Sequence, residues 1–267
     1  TWNLENLFRS GTASGPRTQK EYTAKLKSLA AVILELDPHV LGVQEVGSPA
    51  AFNDLLARLE GHYPHTRLST HPDPRRIRVG FLSKLAIEAS EDIVDFPAAG
   101  LPSVPGVDGA GKLVEVTRMG RGALRIQVSP TAGFAVQLIA THLKSKLLTF
   151  PGGRVSPKNE DERARVGGIA LLKRAAEAVA LRVRADQLIE ANSTERLLLL
   201  GDLNDVPEAA TTQILQGPPG SELGTPAFER RDAGDDARLF NLAPLLPEGH
   251  RYSRMFRGQG ELIDHIF

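Results

Sequence analysis

Five short segments place polar side chains at the ends of predicted strands. They are Trp2-Asn3, Gln44-Glu45, Thr141-His142, Gly201-Asp202-Leu203-Asn204-Asp205 and Asp264-His265. Sheet proteins build their sites at such ends, because the loops are open to solvent while the strands fix the geometry. We therefore expect the chemistry of this chain to depend on these residues.

Two of the segments carry residue types with a defined chemical use. Glu45 follows a buried apolar strand, and a carboxylate there is a hard oxygen ligand that suits Mg²⁺ or Mn²⁺. In isolation such a residue is more commonly a solvated acid. Asp202 and Asn204 lie two residues apart, so they share one side of an extended backbone and can act together. The alternative for this pair is an Asp/Asn turn after a strand.

The first third of the chain has the pattern of alternating strands and helices. Apolar residues recur at helical spacing from Tyr22 to Leu36 and predict a helix that Pro38 terminates. A strand over Val40 to Glu45 follows, and a second helix begins at Pro49. The predicted order is therefore β-α-β-α.

The middle of the chain changes to consecutive strands. Alternation from Ile77 to Phe81 is followed by three more strand patterns, over Leu113 to Thr117, Ala123 to Val128 and Phe134 to Thr141, with no helix signal between them. Strands without crossover helices pair largely antiparallel, so the sheets must be mixed.

The last third contains the longest predicted helix, over residues 160 to 192. The apolar run from Leu197 to Leu200 then indicates a strand that is buried on both faces. The segment from Gly217 to Asp236 is rich in Gly, Pro and acids and is predicted to be a surface loop.

The five segments together resemble the DNase I-like endonuclease/exonuclease/phosphatase superfamily. In family order they read W-N-x-E-N-L, D-P-H-V-L-G-V-Q-E, H-L-K-S, G-D-L-N-D and D-H, and they extend over nearly the whole chain. The resemblance implies one α/β domain over residues 1–267. Its fold would be a four-layer sandwich, with two mixed β-sheets face to face and helices on the outer faces.

The resemblance also implies roles on the metal and water side of the site. Glu45 and Asp264 would bind a divalent cation, Mg²⁺ or Mn²⁺, with Ca²⁺ as a further candidate. Asn3 would add a neutral ligand to this cation or hold the carboxylate of Glu45. Asp202 would orient or deprotonate the attacking water, and Asn204 would donate to a phosphoryl oxygen. Such positioned proton transfer typically contributes about 10²- to 10⁴-fold to a rate.

Two histidines would act on the phosphate by the same resemblance. His265 would contact the scissile phosphate and exchange protons in the transition state. Neighbours on a regular strand point to opposite faces, so His265 and Asp264 can both serve only near a strand end or bulge. His142 would protonate the leaving oxygen or steady the phosphate, with Lys144 supplying charge and Arg121 contacting phosphate. The candidates for a carboxylate that orients a histidine are Asp232, Asp235 and Asp236, and of these we choose Asp236.

The amino-acid composition limits the classes of function that the chain can have. Lys plus Arg and Asp plus Glu both number 32, so any polyanion must be held by a local patch rather than by net charge. The absence of cysteine excludes thiolate metal sites and cysteine nucleophiles. No apolar run is long enough to span a bilayer. The chain begins and stops inside predicted strands, so we expect trimmed ends, and the compartment stays open.

The expected reaction is hydrolysis by water, and nucleic acid is the first-choice substrate. The chain has neither a G-x-S-x-G nor a P-loop pattern, which argues against a covalent serine mechanism. Asp205-Val206-Pro207 stands where inositol phosphatases generally carry Tyr-Arg, which disfavours a phosphoinositide. The alternatives are a phosphomonoesterase, a sphingomyelinase-like lipid phosphodiesterase and, from another class, a non-catalytic binding module. We expect a monomer, whereas DNA or RNA, endo or exo action and protein partners stay open.

Overall fold

A computed structural model describes residues 1–101, 103–108, 112–191, 196–217, 234 and 237–267. These residues form two compact units. The first comprises Thr1–Ile93, Arg121–His142 and Thr194–Asp202, and the second comprises Val94–Gly120, Leu143–Ser193 and Leu203–Phe267.

The first sheet of the first unit is mixed. Its strands are β1 (Trp2–Leu7), β2 (Val40–Val46), β3 (His65–Leu68) and β4 (Arg78–Ser83), in the order β1-β2-β4-β3. The first pair, β1 and β2, runs parallel, and the other two pairs run antiparallel. The register of β1 on β2 is interrupted after Asn3, and that of β2 on β4 is interrupted after Val43, so both strands are bulged where the polar residues lie.

Two helices cover one face of this sheet. Helix α1 (Gln19–Leu36) begins with a capping box, in which the Thr18 hydroxyl accepts from the Glu21 amide and the Glu21 carboxylate accepts from the Thr18 amide. Helix α2 (Pro49–Arg58) is capped by Ser48. The apolar faces of both helices join side chains of the first sheet in one buried cluster, which is the core of this face.

The second sheet of the first unit packs on the other face of the first. Its strands here are β5 (Ile87–Asp95), β8 (Arg118–Thr131), β9 (Phe134–His142) and β10 (Arg196–Asp202), in the order β10-β9-β8-β5. Strands β9 and β10 are parallel, and β8 and β9 are antiparallel. A Cβ on Gly42 would lie 2.3 Å from a methyl group of Leu200, so the two sheets approach closely at this glycine.

The second unit is built on one long helix. Helix α3 (Glu160–Ala191) packs against α4 (Ala210–Gln216) and against β6 (Val104–Val107). Strand β6 pairs antiparallel with β7 (Leu113–Val116). A second antiparallel pair consists of β11 (Arg254–Phe256) and β12 (Gln259–Glu261), and the last strand is β13 (Asp264–Ile266).

The structure confirms the mixed α/β sandwich and the main predicted elements. The predicted helix over residues 160 to 192 is α3, and the run from Leu197 to Leu200 lies in β10. The short strands β3, β6, β11 and β12 were not predicted, because a run of three or four residues carries too little periodicity. The nine-residue strand β5 was not predicted either, because polar residues interrupt its apolar alternation. The predicted surface loop from Gly217 to Asp236 lies almost wholly outside the described residues. Among the described helices, none is long and apolar enough to cross a membrane.

A polar cluster joins β1 and the two helices at the edge of the first core. The Tyr22 hydroxyl donates to Asp54 Oδ2 at 2.8 Å, and the Arg9 guanidinium binds both oxygens of the same carboxylate at 2.6 Å. Burial raises the pKa of Tyr22 to about 12, and the hydrogen bond to Asp54 adds to the rise. Tyr22 therefore stays protonated in the fold at pH values where an exposed tyrosine ionises.

Replacement of Tyr22 by Phe tests this cluster. We expect Tyr22→Phe to lower the free energy of unfolding by about 1 kcal/mol at neutral pH, the usual net contribution of one hydrogen bond. The pKa of Tyr22 is raised on folding, so its contribution is present below pH 10 and is lost as pH rises to about 12. The advantage of the unsubstituted protein over the variant should therefore shrink in that window, as measured by urea unfolding. An exposed tyrosine, Tyr252, provides the control Tyr252→Phe, and an equal effect of both substitutions would contradict the assignment.

Candidate functional site

Four of the predicted site residues come together inside the first unit. Asp202 ends β10 and His142 ends β9, and the parallel register makes them direct neighbours. Asn3 lies on β1 beside Gln44 of β2, which is followed by Glu45. The two sheets thus each contribute two polar residues at the ends of their strands.

The side chains of these four residues are in contact. His142 Nε2 lies 3.5 Å from Asp202 Oδ2 and 3.9 Å from Glu45 Oε1. Asn3 Nδ2 donates to Asp202 Oδ2 at 2.9 Å. His142 and Asp202 are only 2% and 4% exposed, so the carboxylate of Asp202 acts on the imidazole in a medium that screens weakly. We call Asn3, Glu45, His142 and Asp202 the four-residue cluster.

Unusual backbone geometry places the carboxylates of this cluster. Gly201 has φ 147°, and a Cβ there would lie 2.0 Å from the carbonyl oxygen of Thr141, so only glycine lets β10 approach β9 immediately before Asp202. Glu45 has φ 60° at the interruption of β2, and its Oε2 accepts from the Asn6 amide at 2.7 Å. A left-handed non-glycine residue costs about 1–3 kcal/mol and is held in place by its surroundings.

The donor set of the cluster suits a hard divalent cation that keeps most of its own water. Glu45 supplies a partly exposed carboxylate, and Mg²⁺ commonly takes only one or two carboxylates together with substrate phosphate oxygens. Among the described residues, no group of three or more His, Cys, Asp or Glu side chains is arranged to hold a metal. The side chain of Asn3 is engaged otherwise, since its Oδ1 accepts from the Glu5 amide and its Nδ2 holds Asp202.

The second unit fixes His265 in one tautomer. Asn241 Oδ1 accepts from the Ala243 amide at 2.9 Å, which orients the Asn241 side chain so that Nδ2 donates to His265 Nδ1 at 3.0 Å. The proton of the imidazole then lies on Nε2, which donates to the Asp205 carbonyl at 2.9 Å. Burial lowers the pKa of His265, in agreement with a neutral ring. Gln216 Oε1 accepts a second bond from Asn241.

Asp205 is held by a buried ion pair. Its Oδ2 lies 2.9 Å from Arg174 Nε and accepts from the Thr211 hydroxyl, and its Oδ1 lies 2.9 Å from Lys146 Nζ. Although burial opposes ionisation, the hydrogen bonds of Thr211 and Lys146 and the charge of Arg174 lower the pKa of Asp205. The adjacent Asn204 has φ 55°, and its Nδ2 donates to the Leu143 carbonyl at 3.1 Å. The backbone that receives His265 is thereby fixed.

The remaining predicted site residues have the following places. Arg121 is buried and its Nε lies 3.4 Å from Asp73 Oδ2, while Lys144 Nζ donates to the carbonyls of Ser145 and Leu147. Asp264 is half-buried and His265 buried, which fits the expectation that neighbours on β13 point to opposite faces. Burial raises the pKa of Asp264. Asp236 lies outside the described residues, as do Asp232 and Asp235.

Three contributors to this geometry were missed at the sequence level. Asn241 and Gln216 have no motif that could have revealed them, because an amide in a loop or at a helix end is unremarkable. Arg174 was not predicted either, although an arginine on the buried face of a long helix signals a buried carboxylate partner.

Asn241 provides a test of the tautomer assignment. In the unsubstituted protein, nitrogen NMR should show His265 with its proton on Nε2. We expect Asn241→Leu to remove the donor to Nδ1, to mix the two tautomers and to lower the free energy of unfolding by about 1–3 kcal/mol, because buried polar groups lose their partners. The exposed Asn53 provides the control Asn53→Leu. An unchanged His265 spectrum in Asn241→Leu would refute the role given to Asn241.

Several solved structures share this fold. The human Nocturnin catalytic domain with bound sulfate is 14% identical, with 99% of this chain and 79% of that chain covered and a TM-score of 0.57. TDP2 from C. elegans is 16% identical, with 100% and 62% covered and a TM-score of 0.52. ANGEL2, a 2′,3′-cyclic phosphatase, is 13% identical, with 92% and 73% covered and a TM-score of 0.52. At these identities the likeness concerns the fold alone.

A comparison of the sequence with curated proteins found no match. The sequence profile of the Endonuclease/Exonuclease/phosphatase family, by contrast, matches residues 1–267. Members of this superfamily are hydrolases that act on phosphoester bonds. The order of the sequence segments, the mixed sandwich and the profile agree, and the chain therefore belongs to the endonuclease/exonuclease/phosphatase family.

Proposed function

We propose that the chain is a divalent-metal-dependent phosphodiesterase that cleaves nucleic acid by direct attack of water. The observation that carries this proposal is the contact of Asp202 with both Asn3 and His142, beside the carboxylate of Glu45. A base, a proton carrier and a cation ligand are the parts that hydrolysis of an anionic diester requires.

Asp202 is the residue that we assign to the attacking water. Its Oδ2 is held by Asn3 Nδ2, so the carboxylate has a fixed direction, and a fixed base transfers a proton without first reorganising. It ends a strand that is buried among apolar residues, which keeps bulk water from replacing the reacting molecule. Asn3 therefore serves as a positioning residue for Asp202 rather than as a primary ligand.

His142 is the residue that we assign to the leaving oxygen. A diester has a poor leaving alkoxide, so a proton delivered to that oxygen matters more than in a monoester. His142 Nε2 faces both Asp202 Oδ2 at 3.5 Å and Glu45 Oε1 at 3.9 Å, and these carboxylates orient the ring.

On family membership we assign the scissile phosphate to Asn204 and His265. Asn204 Nδ2 donates to the Leu143 carbonyl. His265 Nε2 donates to the Asp205 carbonyl, so each donor must leave its carbonyl to bind the phosphate.

Glu45 would hold the divalent cation, with Asp264 as a further oxygen donor on family resemblance. When bound, Mg²⁺ or Mn²⁺ would neutralise charge on the phosphoryl oxygens. The hydrogen bond from the Asn6 amide fixes Oε2 of Glu45. Because both oxygens lie in one carboxylate plane, this bond also limits the direction of Oε1. The chain's own contribution is thus to present one rigid carboxylate.

A substrate panel tests the proposed function. We expect a plasmid and a single-stranded oligonucleotide to be cleaved with Mg²⁺ or Mn²⁺, to be spared after chelation, and to be cleaved again when the metal is restored. Glu45→Gln should require a much higher metal concentration. Inositol phosphates and sphingomyelin serve as the competing phosphomonoester and lipid substrates. Faster turnover of either, with polynucleotides untouched, would move the protein into another branch, and inactivity on every substrate would favour a binding module.

Substitutions at Asp202 and His142 separate chemistry from folding. We expect Asp202→Asn and His142→Ala each to lower turnover by at least about 10²-fold, because each removes a group that moves a proton. The control is Asp161→Asn, which removes an exposed carboxylate from the start of α3. Single-turnover rates and urea unfolding are measured together. Near-normal turnover in either variant would eliminate the role assigned to that residue.

A further inference from the structure

The arginines around the loop before β4 carry more positive charge than the nearby carboxylate balances. Arg75 and Arg76 lie in this loop, Arg78 is the first residue of β4, and Arg121 contacts the loop from β8. Among the described residues, Asp73 pairs with Arg75 and Arg121 alone, so four positive charges minus one negative charge leave three. Such an excess in a chain of zero net charge is a local anion-attracting field.

Both carboxylate oxygens of Asp73 already contact other groups of the protein. Its Oδ1 accepts from the Ile77 amide at 3.0 Å, and its Oδ2 lies 3.4 Å from Arg121 Nε and 3.8 Å from Arg75 Nε. The next acid, Asp92, accepts from the amide and hydroxyl of Thr70 through one oxygen. The carboxylates of Asp73 and Asp92 therefore contact groups other than the guanidinium groups of Arg76 and Arg78.

Arg76 and Arg78 have no ion pair within the part of the chain that the structure describes. Arg78 is half-buried, and its Nε is sealed from solvent without a hydrogen-bond partner among the described residues. Burial lowers the pKa of Arg78, and the charge of Arg76 lowers it further. A sealed donor and two close like charges are both unfavourable in the free protein. An anion bound at the exposed Arg76 would relieve the repulsion between the two like charges.

The loop holds Arg76 in place before any ligand arrives. The Arg76 amide donates to the Asp73 carbonyl at 2.7 Å, and the Asp73 amide donates to the Ile77 carbonyl at 2.9 Å. These bonds close a tight turn in which Arg76 has φ 72°. A non-glycine residue in this region is strained, and such strain concentrates where a side chain must point in a set direction.

The position of Arg78 relates the pair to the four-residue cluster. Arg78 is the antiparallel partner of Val46 on β2, and Val46 directly follows Glu45. The guanidinium pair and the carboxylate assigned to the metal are therefore carried by the same end of the same sheet.

We propose that Arg76 and Arg78 form a subsite for a phosphate group that flanks the cleaved bond of a polynucleotide. The inference rests on the proposed function, whose reacting phosphate is assigned to other residues. Guanidinium groups suit this task because their planar donors match two phosphate oxygens at once and stay charged throughout the accessible pH range. A neighbouring phosphate would accept from the exposed guanidinium of Arg76 and compensate the positive charge of Arg78 beside it.

The test measures binding separately from cleavage. A labelled single-stranded oligonucleotide is titrated in EDTA against the unsubstituted protein and Arg76→Gln/Arg78→Gln at several salt concentrations. We expect at least about a tenfold loss of affinity at low salt, since hydrogen bonds to charged groups are among the stronger ones. The slope of log affinity against log salt should flatten by about 1.4, because each phosphate contact on a single strand contributes about 0.7.

The matched control removes two arginines that already have carboxylate partners. Arg118 pairs with Asp95 and Arg165 with Asp161, so Arg118→Gln/Arg165→Gln removes the same charge from neutralised positions. An equal effect of both double variants would overturn the subsite in favour of net charge. Should the double variant fail to fold in urea unfolding, the exposed Arg76 is replaced alone, and the slope should then flatten by about 0.7.

The outcomes distinguish the subsite from the proposed function. Unchanged affinity and slope in Arg76→Gln/Arg78→Gln, with the oligonucleotide still cleaved, would overturn the subsite and leave the function standing. If the unsubstituted protein neither binds nor cleaves the oligonucleotide, inorganic phosphate is titrated while the Arg78 Nε–H signal is followed by NMR. A saturable shift would keep the anion site although the proposed function fails, and an unmoved signal would refute both.

Discussion

The close approach of β10 to β9 at Gly201 is the constraint on which the candidate site depends. Only a residue without a Cβ can adopt φ 147° with the Thr141 carbonyl so near, and the next residue of β10 is Asp202. The parallel register then places Asp202 directly beside His142. Any larger residue at position 201 would separate the strands, so the distance between Asp202 and His142 is determined by the backbone. The side chains add direction through Asn3, but the strands determine the spacing.

The second unit keeps several polar side chains inside a packed structure. His265, Asn241 and Asp205 are almost fully buried, and each finds partners for the groups that the structure describes. Asn241 at the Nδ1 side is a neutral donor and not a carboxylate. A carboxylate there would favour a charged ring, whereas an amide donor requires a neutral one. His265 is thereby a neutral ring of fixed tautomer, and its one donor, Nε2, is bound to the Asp205 carbonyl.

The sequence predicted those features of the site that depend only on the residues next to them in the chain. The runs around Glu45 and Asp202 predicted strand ends with acids, and the structure places both acids there. The bulge that turns Glu45 into the left-handed region could not be predicted, because it follows from mismatched registers on both sides of β2. Arg121 has the sequence position expected of a phosphate ligand, yet its partner Asp73 is far away in the chain. The neutral residue beside His265 was likewise unpredictable, since pairing over a separation of 24 residues leaves no periodic signal.

The position of Trp2 has a consequence for spectroscopy. It is the single tryptophan of the chain, and it lies on β1, the edge strand of the first sheet, where it packs against the buried cluster and directly precedes Asn3. Edge strands are bound on one side only and separate from a sheet more readily than central ones. Intrinsic fluorescence in this protein is therefore a reporter of one strand rather than of the whole fold. A fluorescence change that precedes the loss of circular dichroism during denaturation would record the release of β1, and with it the release of the amide that holds Asp202.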